Sequence, residues 1–147
     1  MKKFQGRIVT PGKVTAEAVV SRYGFNTLAS LQSALQFGDK KATCHDQNNP
    51  DLDGKQLAGR ALCLPQTIGS TTGGLVLYCA CAMKRQPACM LFSKPIDSLA
   101  AAGSILASVW LDGINMPVID SLGDEFLEYV KEGMTITVQD GGKVIVE

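Results

Sequence analysis

Histidine is almost absent from this sequence, in which His45 is the single example among 147 residues. A nucleophilic triad of the usual kind needs a histidine to carry the proton between the nucleophile and its leaving group. One histidine in a polar stretch nearly excludes such a triad, unless a partner chain supplies residues. The sequence therefore has to perform any chemistry with other side chains.

An excess of charge of either sign is also missing, since Lys plus Arg and Asp plus Glu both number 14. No basic stripe stands out, which argues against a nucleic-acid partner. No apolar run approaches the roughly 18 residues of a membrane span. The charged start, Met1 to Arg7, leads into only a short apolar run, which is unlike a secretory signal. We therefore expect a cytoplasmic protein with neither a membrane nor a nucleic acid as partner.

The cysteines do not form a recognisable pattern. Their number is odd, and without an export signal this argues against a disulfide framework. The spacing of Cys79 and Cys81 places their thiols on different faces of a predicted helix and does not match a zinc site. We expect most of the five to be small buried hydrophobic residues, and no metal to be bound by this chain; they are Cys44, Cys63, Cys79, Cys81 and Cys89.

Length and composition fit one domain covering residues 1–147, with 46% apolar residues. The first part of the chain predicts strands at residues 4–9 and 14–21. A helix follows from Thr27 to Phe37, with Asn26 or Thr27 as its cap. A brief strand is predicted at residues 42–44. Residues 45–54 are polar and rich in Asn and Asp, which favours a surface turn cluster over a lobe that faces a site.

Three strand–helix units then follow one another. Their strands are predicted at residues 60–64, 88–92 and 117–119, and their helices end near residues 83, 111 and 130, the second capped by Asp97 or Ser98. This alternation predicts a parallel sheet with right-handed crossovers, and short apolar strands fit burial on both faces. In residues 134–146 apolar and polar side chains alternate before a turn, and a second apolar stretch follows it, which indicates a terminal hairpin. The fold class is therefore α/β, with the hairpin and the N-terminal strands as a possible second, antiparallel layer.

Polar residues follow all three strands of these units, at residues 65–72, 93–98 and 120–124. Ligand sites in parallel sheets lie at the carboxyl ends of the strands. The first of these segments leaves Ser70, Thr71 and Thr72 beside a predicted helix N-terminus, which favours an anion or the ionised form of a side chain. The alternative is that Ser70 or Thr71 only caps the helix.

Several segments resemble the small subunit, or swivel domain, of the aconitase X hydro-lyases. They are Leu-Ala-Gly-Arg-Ala-Leu-Cys-Leu-Pro at 57–65, Gly-Ser-Thr-Thr-Gly at 69–73, Met-Leu-Phe at 90–92, the helical unit at 96–111, and Met-Pro-Val-Ile at 116–119. The resemblance implies a three-layer β/β/α swivelling fold with a mostly parallel central sheet. It further implies a heterodimer with a large subunit that holds an iron–sulfur cluster on its own cysteines, so that this chain binds no cofactor alone.

The same resemblance implies roles for the residues of the loop. Ser70 stands at the position of the catalytic base, which removes a proton α to a carboxylate while iron on the partner assists departure of the hydroxyl. Gly69, Thr71, Thr72 and Gly73 would bind the substrate carboxylate.

One departure from the family concerns the substrate. Relatives that act on a phosphorylated substrate often have Arg-Gly-Ser at this loop, whereas here Ile68 precedes Gly69 and Ser70. Since cations usually hold phosphate, we expect an unphosphorylated hydroxy acid of the cis-3-hydroxy-L-proline type. The alternatives are mevalonate 5-phosphate, with cations from the large subunit, a stand-alone module that binds a small anion without chemistry, and a structural partner that only closes another protein's cleft.

Overall fold

A computed structural model describes residues 1–69 and 71–147. The strands within these ranges are Lys2–Gln5 (β1), Arg7–Thr10 (β2), Val14–Val20 (β3), Phe25–Asn26 (β4), Ala61–Leu64 (β5), Thr67–Ile68 (β6), Cys89–Phe92 (β7), Val118–Asp120 (β8), Thr135–Gln139 (β9) and Lys143–Val146 (β10). The helices are Thr27–Phe37 (α1), Gly73–Ala82 (α2), Ser98–Trp110 (α3) and Asp124–Tyr129 (α4), with a 3₁₀ turn at Asp140–Gly142 inside the hairpin.

Two sheets share one long strand. In the central sheet, β3, β5, β7 and β8 run parallel in that order, and β2 closes the edge antiparallel to β8. In the second sheet, β1, β10, β9 and β3 are all antiparallel. The first half of β3 pairs with β9 and its last three residues pair with β5. The predicted α/β class, with a mostly parallel sheet and a second antiparallel layer, is confirmed.

Alternating side chains of the central strands separate two cores. On β5, Leu62 and Leu64 face α1, α2 and α3, while Ala61 and Cys63 face the antiparallel sheet and α4. Strands covered on both faces are apolar at every position, and all four residues of β5 and of β7 are buried. The resulting order of layers is helices, parallel sheet, antiparallel sheet.

The single strand predicted at residues 4–9 was wrong, because β1 and β2 are separate strands that belong to different sheets. Gly6 lies between them against the end of β8. A Cβ on Gly6 would lie 2.6 Å from both the Asp120 carbonyl oxygen and Ile119 Cγ2. Only glycine permits this close approach, and here the chain passes from the second sheet to the central one.

Local signals predicted the helices more accurately than the short strands. Helix α1 has the predicted bounds, and the side chain of Asn26 caps it by accepting a hydrogen bond from the Ala29 amide at 3.1 Å. The strand predicted at residues 42–44 is only an isolated bridge between Thr43 and Gln56. The short parallel pair β4–β6 was not predicted. Within residues 1–69 and 71–147, no helix has the length and apolar character needed to cross a membrane.

Candidate active site

The polar segments that follow β5, β7 and β8 lie side by side, as the sequence predicts. The Ser93 amide donates to the Leu64 carbonyl at 3.0 Å, and the Lys94 amide donates to the Pro65 carbonyl at 3.1 Å. On the other side, the Gly123 amide donates to the Ser93 carbonyl at 2.9 Å. These backbone bonds continue the sheet pairing past the strand ends and form one polar edge.

Asp120 fixes this edge from inside. Its carboxylate is fully buried and accepts hydrogen bonds from Arg7 Nε at 2.8 Å and from the Ile96 amide at 2.8 Å. Burial alone would raise the pKa of Asp120, but the bonds from Arg7 and Ile96 and the charge of Arg7 outweigh it, so this pKa lies below its usual value. Asp120 therefore remains charged and anchors the segment that leads into α3.

A cavity of about 190 Å³ opens between this edge and the helices. Its described walls are formed by Thr27, Thr67, Ile68, Gly69, Gly73, Asp97, Leu99 and Ala100. Thr27 is the first residue of α1, Gly73 is the first of α2, and Leu99 belongs to the first turn of α3. Three helix N-termini therefore meet at one cavity.

The three N-termini differ in how they are capped. Helix α3 begins with a carboxylate, because Asp97 Oδ1 accepts hydrogen bonds from the Leu99 and Ala100 amides at 2.9 Å each. The cap of α1 is the neutral Asn26, and the first turn of α2 contains no acidic residue. The positive ends of α1 and α2 therefore keep their attraction for an anion, since no acidic side chain in their first turns offsets it.

A hydrogen bond between Thr67 and Asp97 holds the loop that starts at residue 65. Thr67 Oγ1 donates to Asp97 Oδ2, while Asp97 Oδ1 caps α3. Thr67 lies on β6, which pairs with β4 next to the start of α1. Gly69 then follows with φ of +116°, a value that favours glycine. One carboxylate thus fixes the loop relative to α3.

The structure brings together part of the predicted set. Gly69 and Gly73 line the cavity. Thr71 is exposed and lines a different, apolar groove between α2 and α3. Thr72 occupies the N-cap position of α2. Ser70 lies outside the described residues, so its assignment as the base stays a prediction.

Of the eight described residues of the cavity wall, the sequence predicts only Gly69 and Gly73 as site residues. It places Thr67 in the polar segment after a strand and Thr27 at the start of a helix, without a role in the site. Asp97 was predicted as a cap of α3, and it is one, but it also contacts the loop. The predicted convergence of strand ends was the available signal, since Thr67 and Asp97 lie in two of the three polar segments.

Four of the five cysteines lie in the cores, Cys79 is partly exposed, and none of them lines the described cavity wall. Cys63, which precedes the loop, faces the antiparallel layer, where burial raises the pKa of its thiol well above the usual value. Burial also raises the pKa of Cys89 to about 12 and that of Cys81 to about 11. Throughout the described part of the chain, no group of three or more His, Cys, Asp or Glu side chains is arranged to hold a metal ion. These residues do not fit an iron–sulfur cluster.

Fold and site together define an α/β domain of three layers, whose helix N-termini and strand ends converge on a small polar cavity. Comparison with known families shows to which family this domain belongs. The model of the aconitase X swivel domain matches residues 3–147, and the chain belongs to this family.

Relatives of this family have the same overall length and shape. The phosphomevalonate dehydratase small subunit of Methanosarcina mazei is 26% identical over 92% of this chain and 84% of its own. That of Methanocella arvoryzae is 28% identical over 99% of this chain and 98% of its own. The crystal structure of Thermococcus kodakaraensis aconitase X in its holo form matches with a TM-score of 0.81 and 25% identity, over 100% of this chain and 99% of that one.

These relatives change the expectation about the substrate. The names of these small subunits refer to phosphomevalonate and do not support a substrate of the cis-3-hydroxy-L-proline type. The absence of an arginine before Gly69 favoured an unphosphorylated substrate, and the relatives instead agree with the alternative of mevalonate 5-phosphate. The relatives are small subunits, so cations for a phosphate need not lie on the same chain.

Substitutions at Asp97 and Thr67 together separate the two contacts of Asp97. We expect Asp97→Ala to lower the free energy of unfolding by about 1–2 kcal/mol, because the variant loses the cap of α3 and leaves Thr67 without its acceptor. Asp97→Asn should retain most of this stability, since asparagine also caps helices. Urea denaturation of both variants measures the difference. Thr67→Val is the control that removes only the contact with the loop, and equal stability of Asp97→Ala and the wild type would contradict the assignment.

Proposed function

We propose that this chain is the small subunit of an aconitase-X-type dehydratase and is active only together with a large subunit. The observation that carries the proposal is the convergence of three helix N-termini on one cavity, in a chain that the family model matches almost from end to end. A cavity of about 190 Å³ is smaller than most ligand pockets. It therefore suits half of a site that a partner completes.

The substrate that we propose is a phosphorylated hydroxy acid, namely mevalonate 5-phosphate. Support comes from the names of the similar small subunits. Among the described residues of the cavity wall, none is Lys or Arg, and Asp97 is acidic. We therefore assign the substrate carboxylate to the ends of α1 and α2, and the phosphate to cations of the large subunit.

The reaction is a β-elimination of water. A base removes the proton on the carbon next to the carboxylate, and the electrons of that C–H bond form the new double bond as the C–O bond on the following carbon breaks. The hydroxyl leaves with the electrons of the C–O bond and takes up a proton from solvent to become water. In this proposal Ser70 is the base, and the end of α2 favours its ionised form. Gly69, Thr71, Thr72 and Gly73 are the proposed contacts of the carboxylate.

The departure of the hydroxyl belongs to the large subunit in this proposal. An iron–sulfur cluster supplies a Lewis acid for such a step when it is bound, and the described residues of this chain do not fit one. What this chain contributes is therefore the base, the binding of the carboxylate and the exclusion of water from that half of the cleft.

Reconstitution with the large subunit tests the proposal. The two chains, purified together without oxygen, should form a 1:1 complex that dehydrates mevalonate 5-phosphate, while either chain alone should show no turnover. Turnover of cis-3-hydroxy-L-proline instead would overturn the proposed substrate. Calorimetric detection of tight anion binding by the isolated chain, with no activity in the complex, would favour the binding module.

A further inference from the structure

The layer formed by α2 and α3 has an unusual outer surface. Neither helix contains any Asp, Glu, Lys or Arg, although the whole chain has 28 such residues, being 14 acidic and 14 basic. A helix at the surface of a soluble protein normally carries charged or polar residues on the face away from the core. Here that face is mostly apolar, which indicates that another molecule covers it.

An apolar groove of about 360 Å³ runs between these two helices. Leu75 and Tyr78 of α2 form one wall, and Leu99, Leu106 and Trp110 of α3 form the other. The rings of Tyr78 and Trp110 meet edge to face with their centroids 6.3 Å apart. Trp110 nevertheless remains 65% exposed, and large aromatic side chains of this kind are frequent binding hot spots.

The groove exposes several large apolar side chains. They are Leu75, Leu99, Leu106 and Trp110, each between 38% and 65% exposed. Together they expose roughly 400 Å², which is within the range of the largest apolar patches on ordinary monomers. A stable interface buries about 800 Å² on each partner. The groove therefore supplies about half of one side of such an interface.

The groove continues directly into the candidate site. Leu99 lines both the groove and the cavity, and Thr71 stands at the junction of the groove with the loop. A partner that closes the cavity must pass over Leu99, and so it also covers the groove. A second copy of this chain would only present another incomplete site.

We infer that the groove between α2 and α3 is the docking surface for the large subunit, which inserts an uncharged apolar ridge beside Leu106 and Trp110. This inference rests on the proposed function, because it takes the large subunit as the occupant. It adds the place of contact, and apart from Thr71 the residues that line this surface are not among those proposed for catalysis or for binding the carboxylate. Docking then also fixes the position of the loop that precedes α2.

Two exposed aromatic residues give a matched test. Trp110 is the last residue of α3 and lies in the groove, and Phe37 is the last residue of α1, where it is 82% exposed and outside the groove. We expect Trp110→Asp to weaken binding of the large subunit at least 30-fold, as hot-spot substitutions do. Phe37→Asp adds the same charge at an equivalent helix end and should bind like the wild type. Calorimetric titration with the purified large subunit measures both.

A second measurement uses the unmodified protein and so does not depend on the folding of a variant. Hydroxyl-radical footprinting of the wild-type chain should show Trp110 protected from oxidation by the large subunit, with Phe37 still reactive. If the large subunit binds but Trp110 stays reactive, the inference is wrong and the proposed function stands. If the large subunit does not bind at all, the proposed function itself fails. Self-association that Trp110→Asp abolishes would show the groove to be an interface between copies, which also overturns the inference.

Discussion

The Ser70→Ala variant is expected to lower kcat of the reconstituted enzyme by a factor of about 100 to 10,000, the usual range for loss of a general base. Among the described residues of this chain's half of the site, the only other carboxylate is that of Asp97, whose two oxygens already accept hydrogen bonds from Thr67 and from the first amides of α3. KM should change little, because alanine leaves the backbone of the loop and the helix ends in place. Initial rates with mevalonate 5-phosphate across a range of concentrations separate the two constants.

A matched control for this variant lies at the same edge of the sheet. Ser98 is an exposed serine at the first position of α3 and does not line the cavity. Ser98→Ala should therefore retain turnover within about twofold, and size-exclusion chromatography should show both variants in complex with the large subunit. If Ser70→Ala also retained its turnover, the base would have to lie elsewhere, and the chain would act only as a partner that closes the cleft.

The Gly103→Ala variant is expected to lower the free energy of unfolding by about 2–3 kcal/mol, although alanine is a better helix former than glycine by about 1 kcal/mol. A Cβ on Gly103 would lie 2.0 Å from the Gly74 carbonyl oxygen, and a Cβ on Gly74 would lie 2.2 Å from the Leu99 carbonyl oxygen. The backbones of α2 and α3 are in contact here, so an added methyl group has to push the helices apart. Urea denaturation measures the loss.

Helix α2 should move in that variant, and its first turn lines the candidate site. We therefore expect Gly103→Ala to lose activity in the reconstituted enzyme even at temperatures where it remains folded. Ser108→Ala is the control, since Ser108 is exposed on the same helix and its hydroxyl donates a hydrogen bond within that helix, to the Ile105 carbonyl at 2.8 Å. A Gly103→Ala protein as stable as this control would contradict the close approach of the two helices.

Several features of the fold could be predicted because their causes are local. The bounds of α1 follow from a capping Asn26, helical spacing of Leu28, Leu31 and Leu35, and a glycine after the last residue. The parallel sheet follows from repeated strand–helix units, since such units pair their strands in one direction. The predicted meeting of three polar strand ends follows from the same rule and is confirmed by their backbone hydrogen bonds.

Other features depend on contacts between distant parts of the chain. The break between β1 and β2 arises because Gly6 meets Ile119 and Asp120, more than a hundred residues away in sequence. The bond from Thr67 to Asp97 joins two segments that follow different strands. No local pattern encodes such a pairing, because the partners become neighbours only when the sheet has formed.

The loop at residues 65–74 shows the same division. The sequence alone determined that a polar Gly/Ser/Thr stretch would stand between a buried strand and a helix, because composition and periodicity act over a few residues. The assignment of Ser70 in this loop as the catalytic base remains a prediction. Only the tertiary structure decided that the ends of α1, α2 and α3 share one cavity with this loop, and that an uncharged groove continues from it. Those features depend on how three helices pack on a common sheet, and packing of that kind is a property of the whole chain.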